Sequence, residues 1–521
     1  MPDNRTRREA AVIEIGSSSI RMAVARRQPD GSLQHIDDLD LPVGLGRDSF
    51  TREEISPETT ERCVSAIRKF QQALDELGVE SENVRVVATS AVREARNQDT
   101  FTDRIQIATG LPVDVLNEAE VTRLTYLAVQ PLLKNQPFFK TGNTLVLEVG
   151  GGSTEILAFR KGRVQSAHVS RLGSLRMQRE LGDYGRGVNG LVACEEYLAA
   201  PVAQIVGSLA IDGAAHVIAL GGETRLVRDT LLGHDTPHGT LSTLDVADVR
   251  NFISSRLSSS VEELAREHTI NEDQALTLLP ALAVYVAMAE ALGENHMHVG
   301  NASLRDGLLT EMFEGQIWER EFRRQTIHSA LELARKYRVD PKHAANVADA
   351  ALAILSYVSR DVRFDPRDET LLLVAAHLHE VGMFINARSF HKHSLYIIEN
   401  SEIFGLDSSE IALVARIARY HRRAAPRPTH EEFIDLPVAD RVRVSKLAAI
   451  LRVADALEFG HDAGRVSLTF ETRRDELVIH AHTHNDLTLA QRQMDSRAEM
   501  FRTVFGLRVV LQSSPTEPVE A

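Results

Sequence analysis

The chain has 521 residues, enough for several domains at roughly 100–200 residues each, which excludes a single small module. Hydrophobic residues at 43% and charged residues at 25% exclude a disordered chain and fit a globular protein with real cores. A net charge of −14 and an aromatic content of 5% argue against broad contact with DNA, with an anionic membrane or with stacked single-stranded nucleic acid. The two cysteines, Cys63 and Cys194, fit neither a disulfide framework nor a metal-ligand spacing, and read as buried apolar residues in a reducing compartment. The opening residues MPDNRTRREA are polar, and AVIEIG after them is too short for the apolar stretch of an export signal. Residues 278–289, the longest near-apolar stretch, contain Pro280 and fall short of the ~18 residues of a membrane span. A cytoplasmic protein is expected.

In chain order, residues 11–26 read as a strand (AVIEIG), a corner (SSS) and a second strand (IRMAVAR), followed by a Pro29-Asp30-Gly31 turn and the strand-like LQHIDDLDL. The same plan returns at 144–170: TLVLEV, then GGGS, TEILAFR, a Lys161-Gly162 turn and RVQSAHVS. Glu14 and Glu148 hold matching places two residues before the first glycine of each corner, 134 residues apart, so a duplicated domain is expected rather than a solenoid. Small residues at such a corner let backbone N–H groups converge on an anion, and serine hydroxyls add donors. A carboxylate just before the corner can hold a cation or orient water. Two facing copies would clamp a phosphoryl group. Further on, LSTLDVADVRNFISS reads as an amphipathic helix, LLPALAVYVAMAEALG as a buried one, and Gly221-Gly222-Glu223-Thr224 as a loop after an apolar run.

The duplicated corners resemble those of the actin-like phosphate-binding folds. EIGSSSIR, ATSAVREARN, EVGGGSTEI and LRDGLL, in this order and followed by LHEVGMFIN, HKHS and ARYHRRA, resemble the exopolyphosphatase/guanosine pentaphosphate phosphohydrolase family over nearly the whole chain. The resemblance implies that Gly16, Ser17, Ser18, Gly151, Gly152 and Ser153 bind phosphate, that Arg93 grips a phosphate through its guanidinium fork, and that Glu155 positions metal or water. It also implies Mg²⁺ near Glu14, Glu148 and Glu155, with a monovalent cation as a further candidate.

Three departures stand out. Glutamates replace the family aspartates at 14 and 148, and Ser18 replaces an asparagine. The family's proposed general base falls in a Ser-Gly-x-Glu-Glu-Ala-Arg-Leu segment; aligning on Arg123-Leu124 puts Val121 at the usual base. Valine cannot accept a proton, and loss of a general base typically costs 10²–10⁴ in rate. Glu120 and Glu118 are the candidate substitutes, although position 120 is turned about 100° from 121 on a helix.

From about residue 315 to 460 the helical period dominates. This half resembles the HD-domain phosphohydrolases, which implies a site at His343, His379, Glu380 and Asp455, with His391 and His421 as extra ligands; a structural role for these histidines stays open, and Glu380 stands where that fold has aspartate. His377 and His379 lie two apart on a helix, so at most one points into a common site. Arg416, Arg419, Arg422 and Arg423 follow the spacing of one helix face near Lys392 and Arg427, either a solvated face or a polyanion groove. The tail holds RVSLTFE, ELVIHAHT, a helix around AQRQMDSRAEMFRTVFG and LRVVLQ, with SSPTEPVEA expected to be disordered.

The expected architecture is α/β: two actin-like (ribonuclease H-like) lobes at 1–130 and 131–313, an all-α HD-like domain at 314–460, and a small α/β domain at 461–521. The expected activity is Mg²⁺-dependent release of terminal phosphate from inorganic polyphosphate or guanosine pentaphosphate, attenuated by Val121. The alternative is a non-catalytic regulator that binds polyphosphate or guanosine penta- or tetraphosphate. The expected partners are these anions and a second copy in a homodimer, with no DNA and no membrane. Net charge is −12 over residues 1–313 and −2 over 314–521, so the acidity sits mainly on the two proposed phosphate-clamping lobes.

Overall fold

The computed structural model describes residues 9–28, 33–185, 190–209, 211, 213, 215–233, 239–314, 316–457, 467–482 and 487–514. The Pro29-Asp30-Gly31 turn, the expected 460/461 boundary and the tail beyond Ser514 lie outside the described residues. The chain separates into two compact units, Met1–Phe322 and Arg323–Ala521.

The first unit is α/β and repeats one topology twice. Its first sheet contains β1 (Glu9–Ile15), β2 (Ser19–Arg27), β3 (Leu33–Pro42), β4 (Val84–Ala88) and β5 (Val113–Val115), in the order β3-β2-β1-β4-β5. Its second contains β6 (Asn143–Val149), β7 (Thr154–Arg160), β8 (Arg163–Ser170), β9 (Ala215–Leu220), β10 (Leu241–Asp245) and β11 (His296–Gly300), in the order β10-β11-β9-β6-β7-β8. Read from β8, the second order repeats the first and adds β10 at the edge. Register is matched too: β1 and β2 are antiparallel with Glu14 opposite Arg21, and β6 and β7 are antiparallel with Glu148 opposite Glu155. The central strands β1 and β6 are buried over most of their length, as near-continuous apolar runs require.

Two local readings change. LSTLD, expected to begin a helix, forms the edge strand β10, and the helix Val246–Arg256 starts only after it; antiparallel pairing of Leu241–Asp245 with β11 satisfies its backbone instead. The helix Glu272–Ala291 extends beyond residues 278–289 and has the length and composition of a membrane span. Two thirds of its most apolar window (67%) is buried, and it packs in the hydrophobic core under the second sheet.

Two helices bring the functional segments together. The helix Glu118–Leu133 begins with a capping box in which the Asn117 side chain accepts from the Glu120 N–H and the Glu120 carboxylate accepts from the Asn117 N–H. The helix Leu304–Glu314 crosses it so closely that a Cβ on Gly307 would lie 2.1 Å from the Leu124 carbonyl oxygen.

In the second unit, the helices Pro341–Val358, Asp368–Leu378, Phe390–Glu399, Ser408–Tyr420 and Val438–Leu457 accompany a sheet of order β12-β13-β14 (Ser467–Arg473, Glu476–His482, Arg508–Ser514). One hydrophobic core joins helix residues such as Val374 and Leu447 to Leu477, Ile479 and Phe501. Strand β14 takes in the first two residues of the expected disordered tail.

The Gly307 contact gives a stability prediction. Alanine normally favours a helix over glycine by about 0.5–1 kcal/mol. At 307 the added methyl would press on backbone, where overpacking costs about 1–3 kcal/mol. Gly307→Ala should therefore lower the melting temperature of the chain in thermal denaturation; a rise would contradict this packing.

Candidate functional site

The two corners are built alike and meet. The Gly16 N–H donates to the Ser19 carbonyl at 3.0 Å, and the Gly150 N–H to the Ser153 carbonyl at 2.8 Å, so each corner is closed by the same turn. Other corner carbonyls are taken from behind: that of Ser18 by the N–H groups of Val43 and Gly44, that of Ser17 by Gly46, and those of Gly150 and Gly151 by Ser174 and Leu175. Among the described residues, no acceptor takes the N–H groups of Ser17, Ser18, Gly151 or Gly152. Convergent unpaired amides of this kind receive anions.

Close approach depends on glycine. A Cβ on Gly151 would lie 2.3 Å from Ser17 Oγ, one on Gly152 2.4 Å from the Phe50 ring, and one on Gly173 2.4 Å from the Gly151 carbonyl oxygen. Phe50 and Leu175 pack beneath the corners, and Arg176 stacks 4.6 Å from the Phe50 ring while donating to the Gly152 carbonyl at 2.8 Å. Tyr285 fixes the second corner to the 221–224 loop: its hydroxyl accepts from the Val149 N–H at 2.8 Å and donates to the Leu220 carbonyl.

Glu14, Glu148, Glu155 and Glu223 line the cleft over these corners, together with Gly16, Ser17, Ser18, Arg93, Gly151 and Ser153. The duplication has diverged in charge. Opposite Glu14 stands Arg21, and Arg305 donates to the Glu14 carboxylate at 2.6 Å. Opposite Glu148 stands a second carboxylate, Glu155, which accepts from Ser153 Oγ at 2.9 Å. Burial, then repulsion from Glu155 and Glu14, pushes the Glu148 carboxyl up to about 8. Burial also raises Glu155, partly offset by the Ser153 hydrogen bond and by Arg93. Two half-buried carboxyls on neighbouring strands, held above their ordinary range, form an oxygen donor set that a hard divalent cation fits.

Arg93 reaches the cleft from the turn Ser90–Arg93 after β4; it donates to the Leu116 carbonyl at 2.8 Å and lies 3.8 Å from Glu118. Val121 also lines the cleft. The structure thus sets a methyl-bearing side chain at the place aligned with the family's base. The candidate substitutes lie elsewhere. Glu120 is engaged as the reciprocal half of the capping box, and Glu118 is 61% exposed beside Arg93; neither lines the cleft. Their assignment as groups that orient water is corrected on that ground.

Sequence reasoning did not assign Arg21, Arg225, Arg228 and Arg305, which line an adjoining recess with His35, Asp38 and Asp40. Arg225 forms no ion pair among the described residues, and its Nη1 is buried without a hydrogen-bond partner. Burial and the like charges of Arg21 and Arg305 lower its guanidinium below the ordinary value. The signal was present: Arg305 sits in LRDGLL, and Arg21 follows Glu14 by the same seven-residue interval that separates Glu155 from Glu148.

In the second unit, His343, His379, Glu380 and Asp455 come together with His421, and His377 points elsewhere. The arginine run does not share one exposed helix face. Its helix ends at Tyr420; Arg416 and Arg419 are buried, Arg416 being tied to Glu399, Ala412 and Glu432, while Arg422 and Arg423 lie past the helix end. Lys392 and Arg423 are exposed, Arg422 stacks on Phe390, and His391 stands among these cations rather than among the carboxylates.

The family model of the Ppx/GppA phosphatase family matches residues 24–315, and that of its domain III matches residues 323–497. The chain is 25% identical over 448 residues to a guanosine-5'-triphosphate,3'-diphosphate pyrophosphatase of Pseudoalteromonas translucida, covering 85% of this chain and 86% of that protein. A protein of the same description from Aliivibrio fischeri is 24% identical over 447 residues, covering 85% of this chain and 86% of the relative. The crystal structure of an exopolyphosphatase from Cytophaga hutchinsonii shares the fold with a TM-score of 0.52 at 20% identity, over 59% of this chain and 98% of that one.

The raised Glu148 carboxyl predicts a pH dependence. Unfolding returns the group to its ordinary value near 4.5, so between there and about 8 the folded chain binds the extra proton and loses stability as pH rises. In chelator-treated protein, Glu148→Gln should be more stable than wild type above pH 8, and the gain should shrink to nothing towards pH 4.5. Parallel stability curves for the two proteins would contradict the assignment.

Proposed function

The chain belongs to the Ppx/GppA phosphatase family, and from that premise we propose that it hydrolyses the terminal phosphoanhydride of inorganic polyphosphate or guanosine pentaphosphate. The observation that carries this reading is the meeting of two corners at one cleft, with corner amides that no acceptor takes among the described residues, beside the carboxyls of Glu148 and Glu155, which form no salt bridge among them. The amides of Ser17, Ser18, Gly151 and Gly152 would hold the equatorial oxygens of the terminal phosphoryl group, with the guanidinium of Arg93 adding positive charge. Glu148 and Glu155, with Glu14 alongside, would hold Mg²⁺. When bound, that ion supplies the positive charge that lets phosphate enter an acidic cleft.

The recess lined by Arg21, Arg225, Arg228 and Arg305 would receive the rest of the anionic chain, with Arg225, which forms no ion pair among the described residues, as its first contact. Polyphosphate contact along residues 388–427 is a weaker reading, because Arg416 is committed to structural partners. Positioning and charge stabilisation do most of the work in phosphoryl transfer, so some turnover survives without a base. Glu155 is the cleft carboxylate left to orient water, and Val121 makes that turnover slow. The second unit is read as an HD-like helical domain with an α/β appendage, and the protein as a cytoplasmic homodimer whose two cysteines stay reduced.

A specific observation favours a second reading, binding without turnover: Val121 lines the cleft where a proton acceptor is needed. Phosphate release from long polyphosphate and from guanosine pentaphosphate, with and without Mg²⁺, separates the two. Wild type should release phosphate only with Mg²⁺, and Val121→Glu should raise the rate by about 10²–10⁴. If wild type binds polyphosphate tightly and neither protein releases phosphate, the chain is a binding regulator and the hydrolase reading fails.

A further inference from the structure

At the end of the second sheet away from the corners, three histidines gather that the corner chemistry leaves unused. His216 lies near the start of β9 beside Thr144, whereas Glu148, at the corner end of β6, lies beside Leu220 at the end of β9. His296 and His298 stand two apart on β11 and so face one side of the sheet. Met297 pairs with Val217, which sets His296 next to His216. On the edge strand β10, Asp245 stands opposite His296 and Thr243 opposite His298. His216 and His296 are exposed and His298 is half-buried, so an ion can reach them from solvent.

The spacing of two of these rings is long for a hydrogen bond and suits ligands of one ion. His216 Nδ1 and His298 Nε2 are 3.4 Å apart. A good hydrogen bond ends at about 3.2 Å. Two nitrogens each about 2.05 Å from a shared tetrahedral ion lie about 3.3–3.4 Å apart.

The rings are also held in place. Phe138, from the short helix Pro137–Thr141, stacks on His216 at 4.2 Å and 27° and on His298 at 5.2 Å and 6°. One aromatic surface thereby sets the planes of both imidazoles. Thr243 Oγ1 lies 3.0 Å from His298 Nδ1. A hydroxyl can accept the Nδ1 proton, which leaves the Nε2 lone pair directed at His216. A histidine whose second nitrogen is held by a neighbour is the usual construction of a metal ligand. Asp245 holds His296 Nδ1 at 2.6 Å and adds a carboxylate beside the pair. Burial, then the neighbouring rings of His216 and His296, lower His298 below its ordinary value, so its imidazole is neutral at pH 7. Neutral imidazole is the form that binds metal.

We propose that His216 and His298 chelate one Zn²⁺ at this end of the second sheet, through Nδ1 and Nε2 respectively, with solvent completing the tetrahedron. Imidazole suits Zn²⁺ and carboxylate oxygen suits Mg²⁺, so this site differs in kind from the carboxyl pair of the cleft. The ion would tie β9 to β11.

The first test needs no variant. Crystals of the full-length chain, grown in excess Mg²⁺ with Zn²⁺ at the protein concentration, should give an anomalous peak at the zinc edge about 2.1 Å from both nitrogens. The second is calorimetric titration of chelator-treated protein with Zn²⁺ in excess Mg²⁺. His216→Ala and His298→Ala should each weaken one Zn²⁺ site by about tenfold or more, because either change leaves a single imidazole. The variants, rather than the total uptake, read this site, since His343, His379 and Asp455 offer donors of their own in the second unit. Zinc found only at those residues or at the cleft carboxyls would overturn the proposal whether or not the variants fold. Unchanged Zn²⁺ binding in both variants, or weakening in one alone, would overturn it as well, because a chelate needs both rings.

Discussion

The contact on which the first unit turns is that between Gly151 and Ser17. No side chain fits between the two corners, since a Cβ at 151 would lie 2.3 Å from the serine oxygen. Because the corners touch, their free amides face a single cleft rather than two separate turns. Phe50 and Leu175 beneath them, and the carbonyls tied back by Val43, Gly46, Ser174 and Leu175, hold the amides in place before any ligand arrives. Such preorganisation would let neutral backbone dipoles receive phosphate although residues 1–313 carry a net charge of −12.

The duplication that produced the corners also shows where they have parted. At the position seven residues after the pre-corner glutamate, one copy has Arg21 and the other Glu155. One side of the cleft is therefore internally compensated, with Arg305 closing on Glu14, while the two carboxyls of the other form no salt bridge among the described residues and feel Arg225, Arg305 and Arg93 only at longer range. On the proposed reading, the second corner would take the metal ion and the first, through Arg21 and its neighbours, would face the anion. Helix packing joins the two functions: the close crossing at Gly307 sets Arg305 and Val121 on a shared, rigid pair of helices.

Much of this was legible in the sequence because it is local. Strand, corner and strand are short apolar runs about small residues, so the two corners, their matched glutamates and the strand order that follows could be read from a 134-residue offset. What could not be read is what long-range packing decides. Glu120 is as good a base as any carboxylate until its reciprocal hydrogen bonds with Asn117 are seen. The arginine spacing from 416 to 423 looks like one helix face until the helix ends at Tyr420. Arg225 and Arg228 carry no motif at all and gain meaning only beside Arg21 and Arg305. Conversely, His377 and His379 could be separated by helical geometry alone, and the structure does separate them.

The central claim is that one phosphoryl group is held between the two corners. Anomalous diffraction from crystals of the chain soaked in tungstate, a heavy-atom counterpart of the phosphoryl group, tests it most directly. The account predicts a tungsten peak within hydrogen-bond reach of the amides of both Ser17–Ser18 and Gly151–Gly152. Tungsten bound against one corner only, or solely at the arginines beyond Tyr420, would contradict it.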